Sequence, residues 1–172
     1  METTTLQFYS LEYNRLKTYG VAALFVAGNV LLPQLCHLVH LGGPTFLPIY
    51  FFTLVGAYKY GWRVGLLTAV VSPWVNAVLF GMPAMEALPA IVLKSVLLAG
   101  IAGYTAARYL RASLWLLAGV VLAYQAAGTL GEWMMGESFY GAMQDFRIGV
   151  PGMLLQVFGG WFMINRVICR RN

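Results

Sequence analysis

Residues 88–107 read LPAIVLKSVLLAGIAGYTAA, a run of twenty residues in which Lys94 is the one charged side chain. An α-helix needs about 20 mostly apolar residues to cross the hydrocarbon core of a bilayer. Comparable apolar runs occupy residues 19–34, 46–58, 64–80, 114–130 and 148–168. The sequence therefore predicts six transmembrane helices, of which the second, at 46–58, is short.

The composition agrees with a membrane protein. Of the 172 residues, 60% are hydrophobic and only 10% are charged, whereas a soluble domain carries about 25% charged residues. So few charges cannot cover a water-soluble globule, and the apolar runs are too long for the strands of a membrane barrel. We predict an all-α integral membrane protein, a compact bundle of six transmembrane helices that forms one domain over residues 1–172.

The basic residues predict how the bundle is oriented. Nine of the 11 Lys and Arg residues fall in the N-terminal segment and in every second segment after it: Arg15, Lys17, Lys59, Arg63, Arg108, Arg111, Arg166, Arg170 and Arg171. Because cytoplasmic loops are enriched in Lys and Arg, we expect both termini in the cytoplasm of a cell-membrane protein, with residues 1–18 and 169–172 as cytoplasmic segments. The same rule explains the net charge of +5 without a nucleic-acid partner. Residues 1–10 are polar, so we expect no cleavable signal peptide.

Several catalytic motifs are missing from the sequence. It contains no Gly-x-x-x-x-Gly-Lys-Ser/Thr phosphate loop, no HExxH, no CxxC and no Gly-x-Ser-x-Gly. His37 and His40 lie three residues apart at the end of the first helix, but a metal site needs further ligands. We therefore expect neither an enzyme nor a bound cofactor or metal.

Four predicted helices each carry one long polar side chain at a similar depth. At 1.5 Å of rise per residue, Asn76, Lys94, Gln125 and Gln156 lie roughly 7–13 Å below the outer helix ends. Polar groups at such depth are costly and are usually functional, and a few of them in an apolar cavity are typical of a small-molecule site.

The predicted substrate-binding site adds flanking residues to these four: Tyr124, Trp133, Arg147, His37 and His40, with Trp74 as a further stacking face. The Lys94 ammonium, with Arg147 above it, is expected to meet an anionic group of the ligand. Two other roles for Lys94 stay open, namely snorkelling to the surface and pairing with Glu132 or Glu86.

The segment 46–83 carries a family resemblance. It reads FLPIYFFTLVGAYKYGWRVGLLTAVVSPWVNAVLFGMP. Its Phe-Leu-Pro opening, Gly61 and Gly65, the Ser72-Pro73 pair and the closing Gly-Met-Pro resemble the substrate-binding (S) subunits of energy-coupling factor (ECF) vitamin transporters.

This resemblance implies a partner system. Such a subunit captures a vitamin or related micronutrient from outside and delivers it inward with a transmembrane coupling (T) subunit and two ATPase subunits. The ligand would sit among the outer halves of helices four to six. Ala23 and Ala27, two small residues at the spacing that permits close helix approach, resemble the motif that docks on the coupling subunit. Nickel and cobalt members use an N-terminal Met-x-His stretch, which Met1-Glu2-Thr3 does not provide.

Two other classes of function stay open. One is a six-span scaffold protein of cell-wall synthesis, which would need no ligand. The other is a small intramembrane enzyme that uses His37, His40 and Glu132. For a transporter subunit, Lys94 favours a carboxylated vitamin such as pantothenate, biotin or lipoate over thiamine, but the sequence does not identify the ligand.

Overall fold

The structure of the protein is a computed structural model, and it describes residues 16–38 and 42–168. Within these ranges the regular secondary structure is helical throughout. The elements follow in the order α1 (Leu16–Cys36), α2 (Gly42–Phe46), a 3₁₀ turn (Pro48–Tyr50), α3 (Phe51–Tyr60), α4 (Trp62–Phe80), α5 (Leu88–Tyr109), α6 (Leu114–Met134), α7 (Phe139–Ala142), α8 (Gln144–Ile148) and α9 (Val150–Leu154).

The last part of the chain changes its helical winding more than once. After α9 come a π-helical segment (Leu155–Gly159), α10 (Gly160–Phe162) and a second π-helical segment (Met163–Val167), with no residue between them. Residues 150–167 therefore form one helical rod. Wide π turns inside helices are uncommon and often occur at functional sites.

Four helices are long and apolar enough to cross a membrane, namely α1, α4, α5 and α6. They confirm the prediction of an all-helical protein with the apolar helices of a membrane protein, and their ends lie within a few residues of the predicted runs. Residues 48–60 and 150–167 are helical where the second and sixth spans are predicted. Six crossings and the orientation of the termini stay predictions.

The short helix α3 forms much of the core of the bundle. It packs against α1, α4 and α5, and Leu54, Val55, Ala57 and Tyr58 have no exposed surface. Gly61 joins α3 directly to α4. Its φ of 96° is a backbone conformation that favours glycine. A Cβ on Gly65 would overlap Ala57, so the absence of a side chain there lets α3 and α4 pack closely.

The two ends of the bundle differ in charge. At the end where α1, α4 and α6 finish and α5 begins, which we call the cavity end, lie the carboxylates of Glu86, Glu132, Glu137 and Asp145. The start of α1 and the turns that join α3 to α4 and α5 to α6 lie at the opposite end. Most of the described basic residues are there: Lys17, Lys59, Arg63, Arg108, Arg111 and Arg166.

Candidate functional site

A cavity of about 500 Å³ lies at the cavity end of the bundle. Its walls come from the end of α1, residues 43–50, the end of α4, the 82–87 loop, the first turns of α5, the end of α6 and residues 137–145. Small-molecule sites in proteins are mostly apolar clefts of about 300–1,000 Å³ with a few placed polar groups. The size and the convergence of several elements fit such a site.

One wall is built by a sharp reversal of the backbone at Leu47. Its φ of 47° lies in the left-handed region, which is sparsely populated by residues other than glycine. The turn is held by two backbone hydrogen bonds, one from Leu47 N–H to the Gly43 carbonyl and one from Tyr50 N–H to the Leu47 carbonyl. Leu47, Pro48 and Tyr50 all line the cavity. A strained conformation at a cavity wall is typical of sites where the surrounding packing fixes the backbone.

Lys94 forms a buried ion-pair triad with two carboxylates. Its Nζ lies 2.7 Å from Glu132 Oε2 and 2.8 Å from Asp145 Oδ2, and Lys94 is only 3% exposed. The structure thus favours pairing among the roles left open for Lys94, and it adds Asp145 as a second partner. Because its ammonium is held by two acids, Lys94 does not present a free cation to an anionic ligand.

Gly128 makes room for the Lys94 side chain. A Cβ at Gly128 would lie 2.5 Å from Lys94 Cγ and 3.0 Å from Lys94 Cε, which is too close for packed carbon atoms. The aliphatic stem of Lys94 therefore passes over the bare backbone of α6 at Gly128, and its ammonium reaches Glu132 one turn further on.

Asn76 connects the cavity to a buried polar network between α1, α3 and α4. Asn29 Nδ2 donates to Thr53 Oγ1 and Ser72 Oγ at 3.0 and 3.1 Å, and Asn29 Oδ1 accepts from Phe52 N–H. Asn76 Nδ2 donates to the Asn29 carbonyl at 2.9 Å. Asn76 lines the cavity, and its Oδ1 has no hydrogen-bond partner among the described residues.

A second polar cluster lies behind one wall of the cavity. Tyr124 OH donates to Gln156 Oε1 at 2.8 Å and accepts from Gln125 Nε2 at 3.1 Å, and all three side chains are fully buried. The Tyr124 ring packs against the ring of Tyr50, with centroids 5.6 Å apart, and Tyr50 lines the cavity. Gln125, Gln156 and Tyr124, predicted as binding residues, thus share one cluster but are not among the side chains that line this cavity.

The predicted polar layer is therefore divided in two. Asn76 and Lys94 line the cavity, whereas Gln125 and Gln156 face each other across Tyr124. The physical reason is that rise per residue gives the depth of a side chain along a helix but not its direction around the axis.

Of the flanking residues predicted to bind substrate, some line the cavity and others lie away from it. His37 lines the cavity, while His40 lies outside the described residues. Trp133 is 53% exposed and packs edge-on against Phe139, and the Arg147 guanidinium lies 3.7 Å from the centre of the Tyr140 ring. Neither Trp133 nor Arg147 lines the cavity, and Trp74, 48% exposed, lies on the outer surface.

Other cavity residues are absent from the predicted binding set. The polar ones among them are the four carboxylates at the cavity end, Glu86, Glu132, Glu137 and Asp145, together with Tyr50 and Gln144. The sequence pattern that could have identified the carboxylates is the concentration of Asp and Glu near one end of the predicted helices.

Asn29, the centre of the buried polar network, could have been identified as a polar residue inside the first apolar run.

The cavity residues do not converge as metal ligands would. In residues 16–38 and 42–168, no three His, Cys, Asp or Glu side chains are placed to hold one metal ion. The polar groups of the cavity can instead accept hydrogen bonds from a solute and counter a positive charge.

Two of the small residues of α1, Ala23 and Ala27, lie on its outer face. Ala23 and Ala27 are exposed, next to Leu24 and Leu31, which are 70% and 65% exposed. This face is open to lipid or to another membrane protein.

No protein-family model, curated protein or solved structure matches the chain.

Proposed function

We propose that this chain is the substrate-binding membrane subunit of an ECF-type uptake transporter. It captures a small vitamin or related micronutrient at the cavity end, which faces outward, while both termini lie in the cytoplasm. A transmembrane coupling subunit and two ATPase subunits then drive delivery inward. The chain itself has no phosphate loop, which agrees with ATP hydrolysis by separate subunits.

The main support for this proposal is the position of residues 46–83, the segment that resembles the ECF substrate-binding subunits. Seven of the cavity-lining residues belong to the 46–83 segment: Leu47, Pro48, Ile49, Tyr50, Asn76, Met82 and Pro83. Both ends of that segment, the Phe-Leu-Pro opening and the Gly-Met-Pro closing, therefore contribute to the cavity. A resemblance that coincides with a ligand-sized cavity supports a binding role more strongly than either does alone.

The outer face of α1 supports the partner part of the proposal. Ala23 and Ala27 leave a shallow exposed groove on an otherwise leucine-rich helix. Small residues let two helix backbones approach closely inside a bilayer. In the proposed transporter, this groove docks on the coupling subunit.

The test has two readouts that separate a transporter subunit from a scaffold. The first is thermal unfolding of the purified protein in detergent with a panel of water-soluble vitamins, in which a ligand that binds only the folded state raises the Tm. The second is uptake of the stabilising vitamin, labelled, into cells that make the protein with its coupling and ATPase subunits. Stabilisation by one vitamin and ATPase-dependent uptake are expected. A protein that no vitamin stabilises, but that co-purifies with cell-wall synthesis enzymes, would contradict the proposal and support the scaffold.

A further inference from the structure

The carboxylates of the described chain are gathered at one place. Glu86, Glu132, Glu137 and Asp145 all line the same cavity, and they are the complete set of Asp and Glu in residues 16–38 and 42–168. Glu2 and Glu12 lie outside those ranges. Over the same ranges, Lys94 is the one Lys or Arg side chain that lines the cavity. Four carboxylates and one ammonium give the Asp, Glu, Lys and Arg residues of the cavity a formal charge of −3.

Lys94 does not cancel this charge throughout the cavity. Its ammonium is paired with Glu132 and Asp145 at 2.7 and 2.8 Å. Because one ammonium is paired with two carboxylates, the triad has a formal charge of −1. Glu86 and Glu137 form no ion pair with any described residue. Glu86 and Glu137, both exposed residues, therefore line the cavity without an ion-pair partner among the described residues, and the triad adds one surplus negative charge.

Asn76 provides a second and independent sign of what the cavity binds. It is 1% exposed, its amide nitrogen is used by the Asn29 and Ser72 carbonyls, and its Oδ1 has no partner among the described residues. A buried polar atom without a partner costs free energy unless something hydrogen-bonds to it. What is left free here is an acceptor, so the missing partner is a hydrogen-bond donor.

The rest of the lining is apolar. Leu47, Pro48, Ile49, Met82 and Ile91 contribute to the walls. They suit the carbon skeleton of a solute, while the acids suit its charge. Within the described residues, no three His, Cys, Asp or Glu side chains are placed around one metal ion. A charge carried on an organic framework therefore fits better than a bare metal ion.

Building on the proposed function, we infer that the captured solute is a small organic cation with N–H donors, and not a carboxylated vitamin. Its positive charge lies near Glu86 and Glu137, and a donor of the solute reaches Asn76 Oδ1. From the sequence, Lys94 favours a carboxylated vitamin. The structure reverses this preference because Glu132 and Asp145, which lie far from Lys94 in the sequence, neutralise its ammonium.

A matched series of probes tests the charge preference directly. The cation 1-methylnicotinamide, neutral nicotinamide and the anion nicotinate share one ring and nearly one size. Thermal unfolding of the full-length protein at equal millimolar concentration of each, with sodium chloride added to equal ionic strength, is expected to show a higher Tm with the cation than with the anion. Equal Tm values, or a higher value with nicotinate, would overturn the inference.

Variants assign that preference to the cavity. In the Glu86→Gln/Glu137→Gln protein, the apparent Kd of 1-methylnicotinamide is expected to rise about fivefold, which corresponds to the upper end of the free energy of an exposed ion pair. Glu86→Asp/Glu137→Asp, which keeps both charges, is expected to stay within about twofold of the wild type. An unchanged Kd in the glutamine variant would overturn the placement of the charge.

A third measurement separates this inference from the proposed function. The wild-type protein is purified from its own host membrane, and any bound solute is extracted and its charge at pH 7 determined. A cationic solute supports both proposals. An anionic or neutral solute overturns the charge inference and leaves capture of a nutrient standing. An empty protein that no vitamin stabilises overturns the proposed function, and the inference with it.

Discussion

The ammonium of Lys94 lies 2.8 Å from Oδ2 of Asp145, across 51 positions of the chain. Lys94 belongs to α5 and Asp145 to α8, so this contact ties the segment after α6 to the body of the bundle. Glu132 on α6 completes the triad at 2.7 Å. One buried lysine thus holds together three of the elements that enclose the cavity.

Removing this lysine is expected to destabilise the fold. In Lys94→Met, Glu132 and Asp145 are left as unpaired, largely buried charges, and breaking a buried pair in this way costs about 3–5 kcal/mol. Chemical unfolding in detergent micelles measures the loss. The matched control is the neutral triple variant Lys94→Met/Glu132→Gln/Asp145→Asn, which is expected to recover much of it. A Lys94→Met protein as stable as the wild type would show that the triad does not hold the fold together.

The passage of Lys94 over α6 depends on Gly128. In Gly128→Ala the new methyl group meets Lys94 Cγ at 2.5 Å, and overpacking of this kind costs about 1–3 kcal/mol. Gly119 lies on the same helix, and a methyl group added there would have nothing within 4 Å, so Gly119→Ala is expected to be neutral or to stabilise by up to about 1 kcal/mol. Thermal unfolding compares the two variants, and equal Tm values would contradict the close packing at Gly128.

Asn29 joins three helices through its side chain. Asn29→Leu removes the hydrogen bonds to Thr53, Ser72 and the Phe52 N–H. Hydrogen bonds between membrane helices contribute on average about 0.6 kcal/mol each, with a maximum of about 1.7. We expect a loss of about 2 kcal/mol on that scale, and a smaller loss for Thr53→Val, which removes one of the three bonds. If both variants lose the same amount in an unfolding titration, the network does not act through Asn29.

The exposed groove of α1 is expected to matter for transport but not for binding. Ala23→Trp/Ala27→Trp fills the groove on a face that makes no contact with the cavity. Uptake should be lost while solute affinity, measured by calorimetry, is unchanged. Leu122→Trp, at a position on α6 that is 55% exposed, is the control and should leave uptake intact. Normal uptake by the groove variant would rule out docking through α1.

The apolar runs are sufficient to predict the helices but not how they face one another. Each of the four long helices begins and ends within a few residues of its predicted run, because hydropathy and Gly or Pro breakers act locally. The sequence also predicts the short run at 46–58, but not its place in the core. That place depends on contacts of α3 with α1, α4 and α5, which no local pattern encodes.

The candidate site is predicted only in part, because local sequence patterns do not give the direction in which a side chain points from its helix. Depth along the helices singles out Asn76 and Lys94, which do line the cavity. It also groups Gln125 and Gln156 with them, although those two point to Tyr124 instead. Asp145 reaches Lys94 because the short helices α7 and α8 fold back over the bundle, and this return could not be read from the sequence.

If the cavity holds a solute, filling the cavity with a bulky side chain must remove that solute. Ala87 lines the cavity immediately before α5, and Ala107 is exposed near the far end of that helix. Native mass spectrometry is applied to the wild type, Ala87→Trp and Ala107→Trp, all purified from the protein's own host. We predict a one-to-one small-molecule adduct on the wild type and on Ala107→Trp that is absent from Ala87→Trp. The same adduct on all three proteins, or none on the wild type, would show that the cavity does not hold a solute.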